Sequence, residues 1–182
     1  MSTIKVWTRQ HHLVLEELEA TGRYTAKASG ILHNEDSQLM KPCYDWLAAH
    51  LPQEDRPADA EYPVWLSLEQ SNSMLPSPET VTLELELDER LVTLLNVTKW
   101  GAVNNFSYLP ADEADARRHK RLLRDYGVSD AKACMTPFYP EIKQEIEKSW
   151  ERLFDDRIQL GSPLCYGLCW ELRREWIRKI IR

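Results

Sequence analysis

Four residues near the amino terminus are the best suited to bind a ligand: the run Trp7-Thr8-Arg9-Gln10. It combines an indole, a hydroxyl, a guanidinium and an amide, and two imidazoles, His11 and His12, follow directly. At a junction between a strand and a helix, helical N–H groups and an arginine fork would together hold an anion such as a pyrophosphate. A structural alternative uses the same residues: Thr8 caps the helix, Trp7 packs in the core and the histidines face solvent. Both interpretations stay open.

A second candidate is the tetrapeptide Tyr62-Pro63-Val64-Trp65. Tyr62 and Trp65 have flat rings with one polar atom each, so they could form a stacking platform for a base or another ring. A core strand that begins after a proline turn explains the same residues without a ligand. The sequence does not decide between the two.

One carboxylate is a candidate catalytic group, Glu151 in Lys148-Ser149-Trp150-Glu151-Arg152. The run lies in a predicted helix, which places Lys148 and Arg152 on one face and lets Glu151 pair with Lys148. As a general base, Glu151 would take or orient the proton of a hydroxyl. The alternative is a solvated glutamate in a weak helical ion pair.

The cysteines indicate neither a metal site nor a disulfide framework. Cys165 and Cys169 are four residues apart and could share a helix face, but no histidine lies at the spacing that a zinc site needs. We therefore expect free thiols and no metal. With only six glycines and no glycine-rich phosphate loop, a dinucleotide-binding Rossmann motif is excluded.

Nucleic acid is not an expected partner. The net charge is −6, and nonspecific binding to DNA or RNA depends on neutralising phosphates. Arg117-Arg118-His119-Lys120-Arg121 forms a basic stretch, but Tyr126 is the one aromatic residue close to it. The stretch is interpreted as a solvated helix face.

The elements that position these candidates follow from hydrophobic periodicity and capping signals. Strict alternation in residues 81–87 predicts a strand that buries Val81, Leu83, Leu85 and Leu87. Residues 164–181 fit either a helix or a strand. The remaining predictions are strands at 4–8, 64–68 and 91–95, an extended segment at 24–32, and helices at 10–21, 41–50, 111–126 and 140–154.

Length and composition predict one α+β domain over residues 1–182, with a mixed or antiparallel sheet and several flanking helices. A content of 43% hydrophobic and 29% charged residues is ordinary for a soluble domain. The amino terminus lacks the apolar run of a signal peptide, and no stretch is long and apolar enough to span a bilayer. We expect a cytoplasmic protein with no membrane partner.

Several of these contexts resemble a bacterial family of unknown function, DUF3841. The resemblance rests on Trp7-Thr8-Arg9-Gln10, Tyr44-Asp45-Trp46-Leu47, Tyr62-Pro63-Val64-Trp65, Leu83-Glu84-Leu85-Glu86-Leu87-Asp88, Leu94-Leu95 with Trp100, the run from Lys148 to Asp155, and Cys169-Trp170-Glu171-Leu172. The chain departs from the family pattern at Arg9, where an aliphatic residue is expected, and at Cys169, where an aromatic is expected. The resemblance implies a bacterial origin and one fold along the chain, and no activity.

Two hypotheses about function follow. The first is a binding or accessory protein with an aromatic-lined cleft or interface, whose partner is a protein or a small molecule. The second is a nucleotide-dependent enzyme that uses NAD and is similar in layout to the ADP-ribosyltransferases. In that mechanism Arg9 would bind a phosphate, Tyr62 or Trp65 would stack on nicotinamide, and Glu151 would orient the ribose or the acceptor. NAD is a cofactor under the second hypothesis alone.

Overall fold

The computed structural model describes residues 2–31, 35–73, 75 and 77–182 of the chain. The chain divides into two compact units. The first consists of Met1–Leu94 and Cys165–Arg182, and the second is Leu95–Leu164. The expectation of a single domain over residues 1–182 stays a prediction.

Strands and helices are numbered in chain order. The first unit begins with β1 (Thr3–His11), α1 (His12–Thr21), β2 (Arg23–Tyr24), α2 (Ala28–Ile31), α3 (Glu35–Leu39), α4 (Lys41–His50), β3 (Val64–Ser67) and β4 (Thr80–Asp88). The boundary between the units falls within β5 (Thr93–Asn96). The second unit holds α5 (Val97–Asn104), α6 (Glu113–Tyr126), α7 (Asp130–Met135) and α8 (Pro140–Ser149). The first unit ends with β6 (Cys165–Cys169), β7 (Leu172–Arg173) and β8 (Ile177–Ile181).

Six strands form one sheet in the order β5-β6-β3-β1-β4-β8, and β2 pairs with β7 separately. Every pairing with a defined register is antiparallel. The predicted α+β class, with an antiparallel sheet and flanking helices, is confirmed.

The pairing of β1 with β4 gives the sheet two different faces. Val6 lies opposite Leu85 and Thr8 opposite Leu83, whereas Arg9 lies opposite Thr82. Paired residues point to the same side of a sheet, and neighbours along a strand point to opposite sides. One side is therefore apolar, and Val14, Leu15 and Leu18 of α1 are buried as well. The other side, called the polar face here, carries Trp7, Arg9, Trp65, Ser67, Thr82 and Glu84.

The alternation predicted for residues 81–87 is confirmed, since Val81, Leu83, Leu85 and Leu87 are all buried. Strand β1 is longer than predicted, because its pairing with β4 continues to His11. Helix α1 consequently begins at His12 and not at Gln10. Its amino-terminal cap is His11, whose Nδ1 accepts a hydrogen bond from the Leu13 N–H at 3.3 Å, so the expectation that Thr8 caps the helix is wrong.

In the second unit, α6 follows its capping signals closely. Asp112 accepts a hydrogen bond from the Asp115 N–H, and Gly127 ends the helix with a φ of 60°, a conformation that glycine adopts without strain. The stretch predicted as one helix at 140–154 is α8 followed by a 3₁₀ turn, Trp150–Phe154. Its predicted inner face is confirmed, because Ile142, Ile146, Trp150 and Leu153 are buried.

The open question about residues 164–181 is answered by strands β6, β7 and β8, with a 3₁₀ turn at Arg174–Trp176. The extended segment expected at 24–32 is wrong in part, since α2 occupies Ala28–Ile31, and Leu32 lies outside the described residues. Helices α5 and α7 were not predicted. Across the described ranges, no helix has both the length and the apolar character needed to cross a membrane.

Candidate functional site

The polar face of the first unit contains three buried polar atoms that have no hydrogen-bond partner among the described residues: Trp7 Nε1, Arg9 Nε and Thr82 Oγ1. Arg9 and Thr82 are direct neighbours across β1 and β4, and Trp7 is two residues from Arg9 along the same strand. The three atoms therefore belong to adjacent positions on one side of the sheet. Buried polar groups are nearly always paired, so three unpaired ones at neighbouring positions require an explanation.

The Arg9 guanidinium is held at its other end, where Nη1 donates to Thr80 Oγ1 at 3.3 Å. The Nε–H has no acceptor among the described residues. A buried donor without a partner costs about 1–3 kcal/mol, and a charged donor costs more. An acceptor supplied from outside the protein would recover that free energy. A ligand at this position would meet two N–H donors, from Trp7 and Arg9, and the Thr82 hydroxyl, which can donate or accept.

Aromatic rings surround Trp65, which lies on the polar face because it is two residues from Ser67, the partner of Trp7. The Trp65 ring meets Tyr166 edge-on at 5.6 Å and Tyr44 edge-on at 6.4 Å. Edge-to-face contacts of this kind fix ring orientation as well as burying area. The first unit thus combines unpaired donors with rigidly held rings.

The predicted ligand-binding run divides between the two faces of the sheet. Trp7 and Arg9 lie on the polar face together with Trp65, while Thr8 and Gln10 point to the opposite side. The Thr8 hydroxyl donates to the Trp65 carbonyl at 2.8 Å and accepts from Gln10 Nε2 at 2.8 Å. Thr8 and Gln10 therefore tie β1 to β3, and this contact positions Trp65. A direct ligand contact for these two residues stays a prediction.

Tyr62 is 4% exposed, and its hydroxyl donates to Asp45 Oδ1 at 2.6 Å. Burial, reinforced by this hydrogen bond, raises the pKa of Tyr62 well above its usual range. Burial alone would raise the pKa of Asp45, but hydrogen bonds from Lys41 and Tyr62 outweigh it and lower that pKa. The Tyr62 ring packs edge-on against Tyr44 at 6.1 Å. A stacking role for Tyr62 toward a ligand stays a prediction.

Glu151 belongs to the second unit, in the 3₁₀ turn after α8. It is exposed and has no ion pair within the described chain, so its expected pairing with Lys148 is not formed. It lines an open pocket of about 510 Å³ whose other lining residues are Tyr108, Arg118, Glu145, Lys148, Ser149, Arg152 and Asp155. Its joint action with Arg9 and Tyr62, which belong to the first unit, stays a prediction.

Four of these lining residues belong to a group that the sequence analysis missed. It is called here the Tyr108 cluster and consists of Tyr108, Asp115, Arg118, His119, Asp130, Glu145 and Arg152. The His119 ring stacks on the Tyr108 ring at 3.9 Å. The guanidiniums of Arg118 and Arg152 lie 5.7 and 5.4 Å from the centre of the same ring. Both arginines also donate to Asp115. Burial would raise the pKa of Asp115, but bonds from the Ala111 N–H, the Tyr108 hydroxyl and Arg118 lower it.

His119 is 3% exposed and both of its ring nitrogens face carboxylates. Nε2 lies 2.7 Å from Asp130 Oδ1, and Nδ1 lies 3.1 Å from Glu145 Oε1. Burial lowers the pKa of His119, but the hydrogen bonds to Asp130 and Glu145 outweigh it, so the pKa is raised and the imidazolium is favoured. A signal was present in the sequence, because Asp115, Arg118, His119 and Leu122 have the spacing of one helix face.

The described residues contain no group of three or more histidine, cysteine or acidic side chains arranged to hold a metal ion. Cys165 and Cys169 stand at the two ends of strand β6, so they do not share a helix face. Cys134 and Cys169 are buried free thiols. Burial raises the pKa of the Cys134 and Cys169 thiols to about 12, which makes them poor nucleophiles.

Comparison with known proteins identifies one family. The sequence profile of a domain of unknown function, DUF3841, matches residues 5–178. No curated protein and no solved structure matches the chain. Because the match covers nearly the whole sequence, from β1 to β8, the chain belongs to the DUF3841 family.

Proposed function

We propose that this protein is a binding or accessory protein of the bacterial cytoplasm and that the polar face of its first unit receives the ligand. The observation that carries the proposal is the set of unpartnered atoms, Trp7 Nε1, Arg9 Nε and Thr82 Oγ1, at adjacent positions of β1 and β4. A ligand that supplies acceptors to them removes the free-energy cost of leaving them unpaired.

The ligand class follows from the donors and the rings. Two N–H groups, one of them on a guanidinium, select an acceptor that carries negative charge. The Trp65 ring beside them favours a flat group that stacks or packs on its edge. A nucleotide has both features, an anionic phosphate and a planar base, so we take nucleotides as the first ligands to test.

The test is thermal unfolding with and without millimolar ATP or NAD⁺. A ligand at about 100 times its dissociation constant adds about 2.7 kcal/mol to the folded state, which raises the midpoint by a few degrees. The Arg9→Lys variant keeps the charge but lacks the Nε–H in its fork, so the shift disappears. The matched control is Arg174→Lys, an exposed position in the same unit, which keeps the shift. No shift with either nucleotide contradicts this ligand class.

A second candidate is the NAD-dependent enzyme. What favours it is that Arg9, the residue assigned to a phosphate, has an unused N–H and shares its face with Trp65, a residue assigned to nicotinamide. It requires a carboxylate, and Glu151 is the one that the sequence predicts. Turnover of NAD⁺ followed by nicotinamide release tests it: Glu151→Gln abolishes turnover and leaves the unfolding midpoint unchanged. Turnover that survives this substitution removes Glu151 from the mechanism.

A further inference from the structure

We propose that the pocket of the second unit is a separate binding site for a small phosphate monoester that also carries hydroxyl groups. The phosphate would take donors from Arg118, Lys148 and Arg152, and a hydroxyl would donate to Glu151. This inference stands apart from the proposed function, because every lining residue lies between Tyr108 and Asp155 and none belongs to β1, β3 or β4. The pocket volume of about 510 Å³ suits a small molecule.

The first step is that the two guanidiniums are fixed before any ligand arrives. Arg118 donates through Nε and Nη2 to Asp115 Oδ1, and Arg152 donates through Nη1 to Asp115 Oδ2 at 3.2 Å. Arg152 Nη1 also donates to the Leu109 carbonyl. One carboxylate therefore holds both arginines against the Tyr108 ring. Holding a charged group in place in the free protein reduces the entropy lost when a ligand binds.

The second step is to count the donors that remain. Within the described chain, Arg118 Nη1, Arg152 Nε and Nη2, and Lys148 Nζ make no hydrogen bond, although all three residues line the pocket. Three separate cationic groups suit the three terminal oxygens of a phosphate better than a planar carboxylate, which one guanidinium satisfies alone. The donor set therefore selects a phosphate.

The third step concerns the carboxylates of the pocket, which differ in what they already bind. Glu145 accepts from Arg118 at 2.8 Å and faces His119, and Asp155 accepts from Arg157 at 2.8 and 2.9 Å. Glu151 alone among the lining acids has no partner in the described chain. It is left to accept from the ligand, and a hydroxyl is the donor that a phosphate ester offers.

The fourth step is that the backbone carrying Glu151 and Arg152 is itself held. Lys99 is 3% exposed, and its Nζ donates to the Arg152 carbonyl at 3.2 Å and to the Asp155 carbonyl at 2.7 Å. Lys99 is therefore a positioning residue for the 3₁₀ turn. It contacts the carbonyls of the turn and is not a lining residue of the pocket.

Calorimetric titration of the full chain with ribose 5-phosphate and with inorganic phosphate tests the proposal. Binding of both probes is expected, with Lys148→Ala raising the dissociation constant for each about tenfold. Glu151→Gln is expected to weaken ribose 5-phosphate relative to inorganic phosphate, because inorganic phosphate has no ribose hydroxyl to donate to Glu151. The matched control is Lys143→Ala, on the same helix but outside the pocket lining, which leaves both constants unchanged.

Two results would overturn the proposal. One is the absence of heat with both probes at millimolar concentration. The other is an equal response of the Lys148 and Lys143 variants, which would mean that the probes follow general surface charge. Neither result bears on Arg9 or on nucleotide binding to the first unit, so failure here and failure of the proposed function are distinguishable.

Discussion

The polar face of the first unit and the Tyr108 cluster of the second unit differ in how far their buried polar atoms are hydrogen-bonded. On the polar face, Trp7, Arg9 and Thr82 each leave a buried atom without a partner. In the cluster, the two nitrogens of His119 both face carboxylates, and the Tyr108 hydroxyl donates to Asp115 and accepts from Arg118. Buried polar networks stabilise a fold when every member is paired and cost free energy when they are not.

The two regions therefore have different roles, although both are rich in polar and aromatic residues. In the Tyr108 cluster the polar side-chain atoms of Tyr108, Asp115 and His119 are all paired, so these residues form a scaffold that orients the arginines lining the second-unit pocket. The polar face has buried polar atoms without hydrogen-bond partners, and this costs free energy of folding. Features with such a cost are concentrated at functional sites. Net charge follows the same division: the second unit has eleven acidic and eleven basic residues, so the whole charge of −6 belongs to the first.

The largest expected effect is at the scaffold. His119→Ala leaves Asp130 and Glu145 without their shared cation, so we expect a loss of about 3 kcal/mol in unfolding free energy at neutral pH. Urea denaturation measures it. Arg117→Ala is the matched control on the same helix, because Arg117 forms one exposed pair with Glu113 and should cost about 0.3–0.5 kcal/mol. Equal losses in the two variants would mean that the cluster is not a stabilising network.

The stability lost in His119→Ala should depend on pH. The pKa of His119 is raised in the folded state. Its contribution is therefore fully present below the unfolded pKa of about 6.5 and declines as the pH rises through the folded pKa. The difference in unfolding free energy between the natural chain and His119→Ala should shrink as the pH rises above about 6.5 and through the raised pKa of His119. A difference that grows over this range would contradict the charged form of His119.

Two tryptophans of the first unit differ in whether the indole N–H has a hydrogen-bond acceptor. Trp170 Nε1 donates to the Pro52 carbonyl at 2.7 Å, and the Arg56 guanidinium lies 4.5 Å from its ring centre. Trp7 Nε1 has no acceptor. We expect Trp170→Phe to cost about 1–2 kcal/mol more than Trp7→Phe in urea denaturation. Equal costs would indicate that the Trp7 N–H is paired in solution.

Much of the fold was predictable because it depends on local patterns. Residues close together in the sequence determine the alternation of β4, the caps of α6 and the inner face of α8. The predictions that were wrong or stayed open depend on pairing between residues that are distant in the sequence. Strand β1 continues to His11 because β4 continues beside it, and Cys165–Cys169 is a strand because β3 is its neighbour.

The candidate sites show the same limit. His119 stood in a basic run that predicted a solvated face, and its burial depends on Asp130 and Glu145, which lie 11 and 26 residues away. The division of Trp7-Thr8-Arg9-Gln10 between two faces follows from strand periodicity. It was missed because the run was assigned to a junction between a strand and a helix. The alternation of residues 81–87 places Thr82 on the face opposite Leu83, but its burial and its position beside Arg9 depend on strand pairing.

Two buried threonines provide the most direct test of the central claim, that the polar face is incomplete without a ligand. Thr82 is 1% exposed and its hydroxyl has no partner, whereas Thr8 is 2% exposed and its hydroxyl makes two hydrogen bonds. The measurement is urea denaturation of Thr82→Val and Thr8→Val without ligand. We predict that Thr82→Val changes the unfolding free energy by less than about 0.5 kcal/mol or stabilises the chain, and that Thr8→Val costs about 1–3 kcal/mol. A loss at Thr82 as large as that at Thr8 would contradict the account.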